Sequence, residues 1–208
     1  MKAMQFFLGA IVFMSLSVQA QSFQPGKHYL EVEGFQSQGK SITEFFSFYC
    51  PACFKQEAII KMIKDDLPRD VTFVRNHIDG MPGRDGNIEH MLTKASIVAA
   101  HIGKEDEIID QIFKHIHVSR ADFTSLDDIE AIFVQSGIDS RDFLRTYNSF
   151  GITAKAKQKQ QNNQKLVNQG ISSVPTLVIN GKYKPVLSDI KTVEEYKSLV
   201  MYLLNKPA

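Results

Sequence analysis

The chain has 208 residues, with 24 Lys and Arg against 23 Asp and Glu, and 43% of its residues are hydrophobic. This near-neutral balance argues against nucleic acid or an anionic membrane surface as a partner. The apolar content suffices for one domain, or for one domain carrying an insertion. Two cysteines are too few for a disulfide-stapled scaffold.

Residues 1–20 read as a cleaved signal peptide. Lys2 supplies a positive n-region, Phe6 to Leu16 an apolar h-region, and Val18-Gln19-Ala20 a small-residue cleavage site. The h-region is short for a bilayer span, and a retained amino-terminal anchor is the competing reading. Export would place the chain from Gln21 onward in an oxidising compartment, where disulfides persist.

Tyr29 to Val32 alternates like a short strand, and Ser41 to Phe48 reads as a second, largely buried one. A helix is predicted from about Pro51 to Leu67, with proline at the tolerated first position. Pro68 and Asp70 break it, and Val71 to His77 forms a third strand. Helical periodicity then takes over from Asp79, in pieces near Ile88–Ile102, Glu105–His115, Ser125–Gln135 and Ser140–Phe150. Gly103, Gly137 and Gly151 fall at their expected ends. A polar helix follows from Ile152 to Asn168. Thr176 to Ile179 is strand-like, Asn180-Gly181 is a two-residue hairpin signal, and Lys182 to Lys184 returns as its partner. Thr192 opens the last helix, with Glu195 placed for a capping box, and the helix ends near Leu204. A helical block thus interrupts an α/β pattern. The expected architecture is an α/β domain built from residues 21–78 and 152–208, with an all-helical insertion over 79–151.

The two cysteines lie together in Cys50-Pro51-Ala52-Cys53, at the junction of an apolar strand and a helix. Such a pair closes almost no loop, so it adds little entropic stability and is a poor structural staple. The first backbone N–H groups of a helix lack internal partners and form a positive end that favours a thiolate. Cys50 is therefore expected to be the exposed nucleophile and Cys53 the shielded resolving thiol, one turn further in. The same pair could be half of a zinc site, but that needs further ligands. No second cysteine pair exists, and His77, His90, His101, His115 and His117 show no metal-site spacing.

At helical spacing Cys53, Ile60, Ile63 and Leu67 share an apolar face, with Glu57 at its margin. There Glu57 could take the proton of Cys53, or it could be an ordinary solvated glutamate. Glu44 interrupts an apolar strand; buried, it would need a partner, and Arg75 on the next predicted strand is the candidate. Val174-Pro175-Thr176 precedes a buried strand, and an X-Pro bond there is compatible with a cis turn. If that strand lies beside the first helix, Pro175 faces the cysteines and Val174 can pair with an extended substrate backbone. An ordinary turn proline is the alternative.

Together the segments Glu44 to Cys53, Val174-Pro175 and Val178-Ile179-Asn180-Gly181-Lys182-Tyr183 resemble the thioredoxin superfamily, and within it the DsbA group of exported disulfide oxidases. Val134 to Ile138 and Asn148-Ser149-Phe150 are similar as well, so the likeness spans nearly the whole mature chain. The resemblance implies a thioredoxin-like fold with a helical insert and no bound cofactor beyond the redox-active cysteine pair. It implies a periplasmic monomer that passes its disulfide to unfolded exported proteins with free cysteines. A DsbB-like quinone reductase in the inner membrane would reoxidise it. By position, Cys50 matches the nucleophile, Cys53 the resolving thiol and Pro175 the cis-proline, while Glu44, Glu57 and Arg75 match charged residues near the buried thiol.

Three departures stand out. Ala52 replaces the histidine usual between the cysteines, removing a cation that would favour the reduced form. Ser96 and Tyr147 stand where the group commonly has tryptophan, and the segment from Pro185 to Lys191 is short for the loop beside the substrate groove. Elsewhere, Lys155, Lys157, Lys159 and Lys165 read as a solvated helix face. Phe45, Phe46, Phe73, Phe113, Phe133 and Phe143 read as core, with Phe48 and Tyr49 bordering the cysteines.

Overall fold

The computed structural model describes residues 22–35, 37 and 39–207. The expected signal peptide lies outside them. In chain order the elements are β1 (Tyr29–Glu31), β2 (Ser41–Phe46), α1 (Pro51–Asp65), β3 (Thr72–His77), α2 (Gly86–His101), α3 (Glu105–His117), α4 (Leu126–Gln135), α5 (Ser140–Tyr147), α6 (Phe150–Asn168), β4 (Thr176–Ile179), β5 (Tyr183–Pro185) and α7 (Val193–Leu204).

The strands form one sheet in the order β1-β5-β4-β2-β3. β2 pairs parallel with β3 through the α1 crossover, with Glu44 opposite Arg75, and antiparallel with β4, with Glu44 opposite Leu177. Alternation along β2 gives the sheet two different faces. Ile42 turns toward Ile60 and Ile63 of α1 and toward Leu199, Val200 and Leu203 of α7. Phe45 turns the other way, against Leu166 of α6 and Val178. A third core lies among the helices, where Leu92, Ile109, Ile112, Phe113, Ile129 and Phe133 pack with Phe46, Phe48 and Cys53. The cysteine pair therefore sits where the helical core meets the sheet. Each fully buried Ile or Phe there contributes about 1.5–3 kcal/mol from the water it sheds.

Several boundaries differ from expectation for local reasons. β2 stops at Phe46, because Ser47 starts a tight turn whose carbonyl accepts the Cys50 N–H at 3.1 Å and whose Oγ accepts that of Tyr49 at 3.2 Å. α1 ends at Asp65, with the Asp66 N–H returning to the carbonyls of Ile63 and Lys64. Gly103 and Gly137 do close helices, at φ +72° and +81°, but Gly151 does not. Ser149 caps a new helix by accepting the Ile152 N–H, which puts Phe150 and Gly151 in the first turn of α6. The second hairpin strand begins at Tyr183, after Asn180 and Gly181 turn at φ +51° and +66°. A Cβ at Gly181 would sit 2.4 Å from the Phe35 carbonyl oxygen, so only glycine fits this corner.

Candidate thiol-exchange site

The apolar end of β2 drives the chain into the interior, and Phe46 and Phe48 pack there edge to face. The Ser47 turn then delivers Cys50 to the N-cap position of α1, with Pro51 as the first helical residue. Cys50 Sγ accepts the Cys53 N–H at 3.3 Å. The same sulfur lies 3.5 Å from the carbonyl oxygen of Val174, to which its thiol can donate. The Val174–Pro175 bond is cis. Thr176 follows at the start of β4, its Oγ1 donating to the Ser173 carbonyl at 2.8 Å. Cys50 at the start of α1 and Val174 before β4 thus meet at the Cys50 sulfur.

Both cysteines are free thiols. Cys53 has no exposed surface, as expected for the shielded member of the pair. Cys50 is 7% exposed, less open than expected, because the Val174 segment covers its sulfur. Pro51 and Ala52 are exposed, so position 52 borders solvent. Burial pushes the Cys53 thiol well above the ordinary range, the hydrogen bond with Cys50 adds to this, and a backbone hydrogen bond from Ser47 opposes it. Cys53 is held as the neutral thiol.

Behind the cysteines lies a cluster of buried charge. Arg75 Nε is 3.6 Å from Glu44 Oε2, so the expected pair forms. The guanidinium's short contacts go to Glu57 instead, with Nη1 donating to both carboxylate oxygens at 2.9 and 3.0 Å. Both Glu44 oxygens are buried without a hydrogen-bond partner. Burial raises the Glu44 carboxyl to about 7, with Arg75 opposing and Glu57 reinforcing the rise. Glu57 is also raised by burial, against the pull of Arg75. Glu44 acts electrostatically on Cys53. Of the two readings open for Glu57, an acceptor for the Cys53 proton or a solvated glutamate, neither names its actual partner, since both its oxygens accept from Arg75. The cluster continues outward, where Arg75 Nη2 lies 3.6 Å from Asp106, and Lys64 contacts Asp106 and, at 3.8 Å, Glu105.

Two residues around the site had no distinguishing sequence signal. Arg84 lies over the Tyr49 ring at 4.3 Å and pairs with Asp122 at 3.1 Å. His117 meets the backbone of Phe48 and the ring of Phe54. One lysine also departs from its expected solvated face. Lys159 reaches across to the Arg75 carbonyl, and burial lowers its ammonium to about 8.

A cysteine pair at a helix N-terminus, one sulfur against a cis-proline segment, on a thioredoxin-like sheet with a helical block between β3 and β4, defines a thiol:disulfide oxidoreductase. Residues 41–200 match the DSBA-like thioredoxin domain family, and the chain belongs to that family. It is 32% identical to the thiol:disulfide interchange protein DsbA of Haemophilus influenzae, over 96% of each chain. It is 30% identical to that of Pectobacterium carotovorum subsp. carotovorum, over 99% of this chain and all of the relative. Among solved structures, DsbA from Klebsiella pneumoniae superposes with a TM-score of 0.79 at 26% identity, covering 90% of this chain and all of that one. A DsbA variant from Proteus mirabilis, solved with a non-covalently bound peptide, gives 0.77 at 27% identity, covering 89% of this chain and all of that one.

Proposed function

We propose that this protein is a periplasmic disulfide donor whose Cys50–Cys53 pair oxidises newly exported proteins. The observation that carries the reading is the position of Cys50 Sγ, between the Cys53 N–H at the start of α1 and the Val174 carbonyl before Pro175. In the oxidised enzyme a substrate thiolate attacks Cys50 Sγ, forming a mixed disulfide and expelling Cys53 as a thiolate that takes a proton. A second substrate thiolate then attacks its partner sulfur and expels Cys50. Two electrons pass from the substrate thiols to the enzyme pair. Glu44, raised to about 7, is suited to exchange the Cys53 proton near neutral pH, with Arg75 and Glu57 setting its charge balance. Val174 and Thr176 flank Pro175 and would hold an extended peptide.

In this reading the partners are unfolded exported proteins with free cysteines and a DsbB-like inner-membrane quinone reductase that restores the disulfide. The protein works as a monomer with no bound cofactor, after removal of residues 1–20. Residues 21–78 and 152–208 carry the chemistry, and 79–151 form the insert. Equilibration of the pair with glutathione tests the direction of transfer. A strongly oxidising couple supports the donor, whereas a thioredoxin-like value would overturn it in favour of a reductase. Cys50→Ser should abolish oxidase turnover. Aggregation suppression that survived with no redox turnover in the parent would instead indicate a peptide-binding chaperone. Ala52 favours a second reading, a specialised oxidase or reductase with few substrates, because position 52 carries no cation to stabilise the reduced pair.

A further inference from the structure

His117 is the last residue of α3, and its imidazole faces the cysteine motif from the helical block. Nε2 lies 2.8 Å from the carbonyl oxygen of Phe48. A carbonyl can only accept, so Nε2 carries the proton of this bond. The ring also stacks on Phe54, with centroids 5.0 Å apart and planes 7° from parallel. Phe113, one turn earlier on α3, backs the ring at 5.9 Å and touches Phe54 at 5.8 Å. Phe48 is two residues before Cys50, and Phe54 is the residue after Cys53. One side chain therefore grips both flanks of the motif.

We propose that His117 is a positioning residue that sets the redox equilibrium of the Cys50–Cys53 pair by fixing the motif's two flanks relative to each other. In the reduced protein Cys50 Sγ accepts the Cys53 N–H at 3.3 Å, and its distance depends on how the turn after β2 meets the first turn of α1. The bond to Phe48 fixes the turn, and the stack on Phe54 fixes the helix. In the oxidised protein Cys50 Sγ is a disulfide sulfur and a weaker acceptor for the Cys53 N–H, so a grip that holds this hydrogen bond in place stabilises that form less. A contact that stabilises the reduced form more than the oxidised form makes the disulfide a stronger oxidant, by the thermodynamic cycle linking stability to redox equilibrium. This rests on the reading that the pair cycles between disulfide and dithiol.

Three full-length mature variants separate the contributions: His117→Gln keeps an N–H donor, His117→Phe keeps the stack, and His117→Ala keeps neither. Each is equilibrated with reduced and oxidised glutathione. Two glutathione thiols give two electrons and two protons to the protein disulfide and leave as glutathione disulfide. Urea unfolding of both redox forms is followed in parallel. His117→Ala should shift the equilibrium toward the disulfide by about three- to tenfold, the larger value corresponding to about 30 mV for a two-electron couple. His117→Phe should shift in the same direction, and His117→Gln should stay within about twofold of the parent, since a neutral amide can still donate to the carbonyl. The reduced form should lose more stability than the oxidised form. Equal losses in both forms with an unchanged equilibrium would show that His117 only packs, overturning the proposal. A glutamine variant that behaved like alanine would overturn the role of the Phe48 bond. A parent protein whose pair never exchanged with glutathione would remove both this inference and the disulfide-donor reading.

Discussion

Glu44 combines complete burial, two unpartnered oxygens and a cation 3.6 Å away, and these settle its protonation. Its carboxyl rises from 4.5 to about 7, so between those values the folded chain holds a proton the unfolded chain has released. Its contribution to stability is complete below about pH 4.5 and is lost as pH rises through 7. Glu44→Gln should therefore exceed the parent in stability at pH 8, by on the order of 3 kcal/mol, and match it near pH 4. Urea midpoints at the two pH values check this, and an equal gap at both would mean that Glu44 does not titrate. Arg75→Met removes the cation from Glu44, Glu57 and Asp106. It should cost about 3–5 kcal/mol at pH 8 and less at pH 5, where the carboxylates can protonate. At the solvent border, Ala52→His restores a side chain able to carry positive charge beside Cys50. The glutathione equilibrium should move toward the dithiol, and an unchanged constant would remove Ala52 from the account of oxidising strength.

At the scale of elements, the cysteine site was legible because its signals are local. Proline at the first helical position, a strand ending in phenylalanines and a Val-Pro before a buried strand each carry their own physics. Asn180-Gly181 was legible for the same reason. What failed were signals that compete or act across space. Gly151 looked like a helix end, yet the preceding serine accepts an N–H from inside the next helix and overrides it. Arg75 does pair with Glu44 as strand adjacency predicts, at 3.6 Å, but adjacency gives no sign that its guanidinium also reaches Glu57 on the crossing helix, where its short bonds form. His117 could not be assigned, because its partners are a backbone carbonyl 69 residues earlier and a ring on another helix. A local device outside the site gives a further test. Ser125 and Asp128 cap α4 reciprocally, at 3.3 and 3.0 Å. Ser125→Ala should cost about 1 kcal/mol, read as a lower urea midpoint with glutathione equilibrium unchanged.

Across the whole molecule, the helical block and the sheet meet through charge as well as through the shared apolar core. Lys64 on α1 contacts Glu105 and Asp106 at the start of α3, and Arg75 on β3 leans toward Asp106. Asp106 is largely exposed, so Asp106→Asn should change global stability by less than about 1 kcal/mol. Its effect should instead appear as faster amide exchange in the first turns of α3.

Cys50 and Val174, which meet at the sulfur, are 124 residues apart in sequence. Synthesis runs from the amino terminus, so the cysteines emerge long before the segment that will cover them. β4, β5 and α7, which complete the sheet and one of its cores, are also made after the cysteines. While the chain is emerging, Cys50 lies beside neither its proline nor a finished sheet, and it is then an ordinary cysteine of a nascent polypeptide. The protein thus passes through a stage in which its own thiols await a fold that only the segments from Val174 onward can complete.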